Sequence, residues 1–199
     1  MYKSVNKICF AFLALAVSCT TAEQKPVEKP VKELGIEKII NAAEMAERGK
    51  YLVNAMGCDD CHSPKKMGEH GPEIIEELRF SGYPSGRALQ KMDKENLKLN
   101  WVLFNGDLTS AVGPWGQSFA ANLTNDPTGI GNWTEENFIT AIRKGKYKGM
   151  EAGRDLLPPM PWFAYRNLND EDLKSIFAFL KTTRPVENVV PAPTSPANL

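Results

Sequence analysis

The feature that most constrains this chain is the run Cys58-Asp59-Asp60-Cys61-His62. Two cysteines with two residues between them and a histidine directly after the second form the attachment pattern of a c-type haem. One turn of backbone would place the two thiols under the two vinyl groups of a porphyrin and the imidazole below its iron. The run therefore predicts thioether bonds from Cys58 and Cys61 and an axial bond from His62.

Two other kinds of site use closely spaced cysteines. A thioredoxin-like redox pair has the same Cys-x-x-Cys spacing, but it lies beside a strand-helix unit in a βαβ pattern, which this sequence does not show. A structural zinc ion needs four ligands. Beyond His62 the chain offers only His70 and no second cysteine pair in its folded part, so zinc is disfavoured further.

The N-terminus has the pattern of an export signal. Two lysines precede the apolar run 8–17, which is too short to span a membrane stably. Residues 15–19, Leu-Ala-Val-Ser-Cys, resemble the lipobox of bacterial lipoproteins, although the leucine stands one place early. We therefore expect a signal peptide at 1–18, a lipid on Cys19 as membrane anchor, and an exported protein of the periplasm or envelope. A plain signal peptide cut near Ala22 is the alternative.

The composition of the segment after the expected signal, and the net charge of the chain without that signal, limit what these parts can do. Residues 19–37 are polar, charged and proline-spaced, which predicts a flexible tether. Without the signal and its two lysines the chain has 22 basic and 24 acidic residues, a formal net charge of −2. That balance does not favour nucleic acid as a partner. Export agrees with the haem motif, because thioethers to haem are formed outside the bacterial cytoplasm.

Three helices are predicted between the tether and the C-terminal tail. Their expected bounds are 37–55, 135–144 after the cap Thr134, and a third that begins after Leu168 with Asn169 or Asp170 as its cap. The apolar stripe of the third helix needs a partner, and Gly49 in the first helix is the expected contact. Strand patterns are weak. We therefore expect an all-α domain over 38–190, followed by a disordered tail over 191–199.

Met160 is the predicted second iron ligand. An electron-transfer haem needs a distal methionine or histidine, and the prolines of Leu157-Pro158-Pro159-Met160-Pro161-Trp162 would present the Met160 thioether from a stiff, extended segment. A methionine that only fills the core is the alternative. The competing ligands are His70, Met67, Met92 and Met150. Two histidines would give a lower potential, since the softer thioether favours ferrous iron.

Residues 46–190 resemble the bacterial class I c-type cytochromes, especially the cytochrome domains associated with periplasmic dehydrogenases of alcohol and sugar acid oxidation. The resemblance rests on the haem motif and on five further segments, 48–53, 122–131, 133–145, 157–161 and 170–180. It implies a monohaem, cytochrome c-like fold in which short helices and long loops surround one haem, with the first and last helices crossing near Gly49.

The resemblance also implies the roles of single residues. Cys58 and Cys61 would carry the thioethers of one covalent haem c, and His62 and Met160 would bind its iron. The carbonyl of Pro72, in a Gly-Pro pair behind the motif, would accept the imidazole N–H of His62 and orient the ring.

The expected function is one-electron transfer, with a dehydrogenase as donor and an oxidase or another cytochrome as acceptor. A peroxidase or gas-binding haem protein would need an open distal site, against which Met160 argues. A fixed cytochrome subunit of a dehydrogenase complex is a second alternative.

Two surface features have open interpretations. The basic residues around Lys146 form either a docking patch for an acidic partner or a solvated helix end: Arg143, Lys144, Lys146 and Lys148. The segment 80–116 is long for a small cytochrome, and its aromatic residues cap the haem edge, form a partner surface or pack in the core.

Overall fold

A computed structural model describes residues 42–88 and 101–199. Within them lie five α-helices: α1 (Ala42–Ala55), α2 (Cys58–His62), α3 (Glu135–Lys144), α4 (Trp162–Tyr165) and α5 (Asp170–Leu180). Short 3-10 helices occur at Glu76–Leu78, Tyr147–Gly149 and Pro196–Asn198. The expected signal peptide, Cys19, the tether, Met92 and the start of the predicted first helix lie outside the described residues.

Helices α1 and α5 cross in close contact at Gly49, as predicted. Gly49 is buried, and a β-carbon placed on it would overlap the carbonyl oxygen of Ser175 and lie 2.8 Å from the β-carbon of Phe179. Beside the crossing, the Arg48 guanidinium pairs with the Asp172 carboxylate at 2.9 Å. A glycine is therefore required where the two backbones meet.

The predicted bounds of α3 are confirmed, because both ends carry local signals. The Thr134 hydroxyl accepts a hydrogen bond from the Asn137 amide (3.1 Å), and the Asn137 side chain accepts one from the Thr134 amide (3.0 Å). Gly145 ends the helix with a left-handed φ of 64°. Helix α5 begins after Asn169, whose side chain accepts a hydrogen bond from the Asp172 amide at 2.7 Å.

The buried core joins α1, α3 and α5 through apolar side chains that belong to one cluster: Leu52, Val53, Phe80, Ile130, Phe138, Ile142, Leu173, Ile176 and Leu180. We call this the central cluster. Burial of side chains of this size contributes about 1.5–3 kcal/mol each.

The all-α expectation is wrong in part, because the structure also contains two small antiparallel sheets. Strands β1 (Lys65–Gly68) and β2 (Gly71–Ile74) form a hairpin. Strands β3 (Leu103–Phe104), β4 (Ser110–Gly113) and β5 (Gly116–Phe119) form a three-stranded sheet in that order. These strands are two to four residues long, and every residue of β4 is buried, so no alternation marks them in the sequence.

Residues 191–199, for which we expect a disordered tail, make backbone hydrogen bonds with β5. The Gln117 amide donates to the Thr194 carbonyl (2.9 Å) and the Thr194 amide donates to the Gln117 carbonyl (3.0 Å). The tail thus contacts the free edge of β5, the last strand of the three-stranded sheet.

The aromatic residues of the 80–116 segment have two different environments. Tyr83 is 3% exposed and packs against Phe119 with ring centres 4.8 Å apart, whereas Trp101 is 62% exposed. Core packing therefore explains Tyr83 but not Trp101. Across residues 42–88 and 101–199, no helix combines the length and apolar character that a membrane span requires.

Candidate haem site

Helix α2 places the two cysteines of the motif on one turn. It follows Gly57, whose φ of 69° is left-handed, and both thiols are half-buried and free of disulfides. Burial, assisted by the charge of Asp59, raises the pKa of Cys58 to about 12, and burial also raises the pKa of Cys61. A redox-active pair needs a lowered thiol pKa. The thioredoxin-like alternative is therefore disfavoured.

The ring of His62 is oriented by a main-chain oxygen. Its Nδ1 lies 2.8 Å from the carbonyl oxygen of Ala121, two residues after β5. Because a carbonyl oxygen can only accept, Nδ1 carries the proton and Nε2 is the nitrogen left to bind a metal. Burial lowers the pKa of His62, against the raising effect of the Ala121 carbonyl. The imidazole is therefore neutral at pH 7, which is its metal-binding form.

The expected role of Pro72 is wrong, since Ala121 provides this acceptor. Pro72 lies in β2 opposite Met67, in a hairpin whose turn is Glu69-His70. Gly71 and Pro72 thus take part in the pairing of the two hairpin strands. No sequence signal marks the Ala121 carbonyl, because every residue offers such a group.

The first acid between the cysteines fixes the turn. Asp59 accepts hydrogen bonds from Ser63 Oγ (2.6 Å) and from both Nε (3.0 Å) and Nη2 (2.7 Å) of Arg79. Ser63 Oγ in turn accepts one from the Phe80 amide at 2.9 Å. No sequence pattern indicates these contacts, which connect the motif to the central cluster through Phe80.

The turn between β3 and β4 is organised around the buried carboxylate of Asp107. Arg87 pairs with it at 2.8 Å, and the Thr109 hydroxyl (2.7 Å) and Asn105 amide (2.8 Å) donate to it. Burial acts to raise its pKa, but the hydrogen bonds from Arg87 and Thr109 outweigh burial and lower the pKa to about 2.

Acid should remove the stabilisation that the ionised Asp107 carboxylate gives to the folded protein. The lowered pKa means that its stabilisation is complete above the ordinary value of 3.8 and is lost as pH falls towards about 2. We expect Asp107→Asn to lower the free energy of unfolding by about 2 kcal/mol at pH 7. Thermal unfolding should show this difference shrinking between pH 4 and pH 2. A difference independent of pH would contradict it, and Asp155→Asn, at an exposed carboxylate, is the control.

The Met160 segment is held at both ends. Ser118 Oγ donates to the Pro158 carbonyl at 2.7 Å, and the Leu156 amide donates to the Gly145 carbonyl at 2.6 Å. Beyond Met160, the Tyr165 hydroxyl donates to the carbonyl of Met56 at 2.9 Å, two residues before Cys58.

Met160 and Cys58 both pack against the central cluster. The structure thus brings the predicted distal methionine to the same core as the haem motif. The residues present suit haem c: two thiols on one turn, a neutral imidazole with a free Nε2, and a soft thioether donor.

The competing candidates for the second iron ligand are exposed where the structure describes them. Met67 is 76% exposed and Met150 is 58% exposed. His70 is an exposed residue of the β1–β2 turn. In the part of the chain that the structure describes, no group of three His, Cys, Asp or Glu side chains converges to hold a metal ion.

The basic residues near Lys146 do not form an open cationic patch. Arg143, Lys144 and Lys146 each pair with an acid, namely Asp170, Glu151 and Asp155. Lys148 lies 5.6 Å from the ring centre of Tyr147. The arrangement favours the solvated helix end over the docking patch.

Known proteins share this pattern. The sequence model of the family described as cytochrome c matches residues 46–184. The chain is 39% identical over 152 residues to a nicotinate dehydrogenase subunit of Pseudomonas putida, covering 76% of this chain and 10% of that protein. It is 40% identical over 142 residues to the fructose dehydrogenase cytochrome subunit of Gluconobacter japonicus, covering 70% of this chain and 22% of that protein.

A further relative is the gluconate 2-dehydrogenase cytochrome c subunit of Pantoea cypripedii, 30% identical over 136 residues, or 68% of this chain and 22% of that protein. The chain thus spans about a tenth to a fifth of the length of these relatives. The family match covers well over half of the chain. This protein therefore belongs to the cytochrome c family and carries covalently bound haem c.

Proposed function

We propose that this protein transfers single electrons through one haem c held by Cys58 and Cys61 and ligated by His62 and Met160. The observation that carries the proposal is the packing of Met160 and Cys58 against one core cluster, with Tyr165 hydrogen-bonded to Met56 between them. When bound, the haem iron supplies the change between ferrous and ferric states.

The residues of the chain divide the remaining work. The Ala121 carbonyl orients the His62 ring through Nδ1, which leaves Nε2 as the nitrogen that would bind the iron. The anchored Pro158 carbonyl limits movement of the Met160 thioether. The central cluster, against which Cys58 and Met160 pack, would exclude water from a haem held by these residues. A fixed distal methionine supports electron transfer over peroxidase or gas-binding chemistry, which needs a vacant position on the iron.

The relatives support a dehydrogenase as electron donor, because several are named as cytochrome subunits of dehydrogenases. An oxidase or another cytochrome would accept the electron, either from a diffusing carrier or from a fixed subunit. We further propose export to the periplasm or envelope, with a signal peptide at 1–18. A lipid on Cys19 and a tether over 19–37 would hold the domain, 38 onward, at a membrane.

Spectra of the full chain test the proposal. Exported through a c-type maturation system, the protein should keep its haem on a denaturing gel. It should give a low-spin spectrum with the weak far-red iron-methionine band in the ferric state. Cys58→Ala with Cys61→Ala is the control and should lose covalent haem. Covalent haem with a high-spin spectrum would contradict ligation by Met160, and absence of covalent haem would contradict the whole site.

A further inference from the structure

Lys65 lies directly beyond the haem-motif turn and donates to main-chain oxygens. Its Nζ reaches the carbonyl oxygens of Asp60 (2.8 Å), Ser63 (2.9 Å) and Asp59 (3.1 Å). It also reaches the carbonyl of Asp107 at 3.2 Å. The last carbonyls of a helix have no partner within the helix. The three N–H donors of the ammonium group supply partners for them at the end of α2.

The positive charge of Lys65 is not cancelled by its own contacts. The side-chain carboxylates of Asp59 and Asp107 each pair with an arginine, at 2.7 Å from Arg79 and 2.8 Å from Arg87. Among the described residues Lys65 forms no ion pair, and Asp60 is exposed, where solvent screens its charge. A fixed cation thus stands against neutral carbonyl groups beside the motif.

The ammonium group of Lys65 lies close to the residues that would hold the haem. Its Nζ is 2.8 Å from the carbonyl oxygen of Asp60, the residue before Cys61, and 2.9 Å from that of Ser63, the residue after His62. The charge of Lys65 is thus held against the main chain on both sides of the Cys61-His62 pair.

We propose that Lys65 is a positioning residue that fixes the haem-motif turn and raises the reduction potential of the bound haem. The inference rests on the proposed function, since it needs haem ligated by His62. Reduction adds one electron, delivered by the donor protein, to ferric iron and removes one positive charge from the centre. A nearby fixed cation favours that reduced form.

Neutral and charged replacements separate the two roles of Lys65. Lys65→Gln keeps amide donors for the carbonyls but removes the charge, and Lys65→Arg keeps the charge. Lys66→Gln is the matched control, because it causes the same change in net charge at the next residue of β1, which is exposed and has the opposite side-chain direction.

Spectroelectrochemistry of the holoprotein measures the effect. At the potential where the wild type is half reduced, we expect Lys65→Gln to show a ferric-to-ferrous ratio about three- to tenfold higher. A tenfold ratio corresponds to 59 mV for a one-electron couple. The ferric-to-ferrous ratio of Lys65→Arg should stay within about twofold of the wild-type ratio. The ratio of Lys66→Gln should do the same, because the Lys66 side chain is solvated. Lys65→Met, with an unbranched apolar chain, should shift in the same direction as Lys65→Gln.

Three outcomes would overturn the proposal. An unchanged potential in Lys65→Gln with lower stability would leave Lys65 with a structural role alone. An equal shift in Lys66→Gln would assign the effect to net charge. A shift in Lys65→Arg as large as in Lys65→Gln would exclude the charge as its cause. Failure of the proposed function differs from all three, because it shows in the wild type as missing haem or a missing iron-methionine band.

Discussion

Replacing Met160 with alanine is expected to lower the reduction potential by on the order of 0.1 V, within the range of about 0.8 V that axial ligands set. The thioether favours ferrous iron, and alanine offers no ligand in its place. The variant should keep covalent haem, because the thioethers come from Cys58 and Cys61. It should lose the far-red band of the ferric protein, and its ferrous form should bind carbon monoxide.

Met150→Ala is the control for this experiment, because Met150 is a 58% exposed methionine ten residues earlier. It should leave the potential, the far-red band and the inertness to carbon monoxide unchanged. If Met160→Ala behaved like Met150→Ala, Met160 would be core packing and another residue would be the ligand.

Gly49→Val should produce the second large effect, on stability. The β-carbon alone would overlap the Ser175 carbonyl, and the two γ-carbons would add to the crowding against Phe179. Overpacking of this kind costs about 1–3 kcal/mol and occasionally more. Because the contact is with backbone that cannot rotate away, we expect a loss of about 3 kcal/mol in the free energy of unfolding. Guanidinium unfolding of the holoprotein, followed by circular dichroism and haem absorption, measures it.

Gly86→Val is the volume-matched control, since a β-carbon on Gly86 meets no atom of the described residues within 4 Å. Its unfolding midpoint should differ little from that of the wild type. Equal stability of the two variants would show that α1 and α5 do not need the close approach at Gly49.

Features with local signals were predictable from the sequence. The haem motif occupies five consecutive residues, and α3 is bounded by a cap at Thr134 and a left-handed glycine at Gly145. The Gly49 contact was also predictable, because a glycine inside a helix costs about 1 kcal/mol relative to alanine and needs a packing reason.

Features that depend on distant backbone were not predictable. The acceptor for His62 is a carbonyl 59 residues away, and the Lys65 site needs a carbonyl 42 residues away. Every residue has a backbone carbonyl, so nothing in the sequence distinguishes these two. The strands were missed because their two to four residues are too few for a period of two to stand out. The role of Met160 as ligand stays a prediction.

The three-stranded sheet has a consequence for engineering a smaller protein of this kind. The turn before β4 supplies the Asp107 carbonyl to Lys65 beside the haem motif, and β5 supplies the Ser118 hydroxyl to the Pro158 carbonyl, two residues before Met160. Deleting this sheet to shorten the protein would remove both contacts at once. The smallest transferable unit therefore includes β3 to β5 together with the helices.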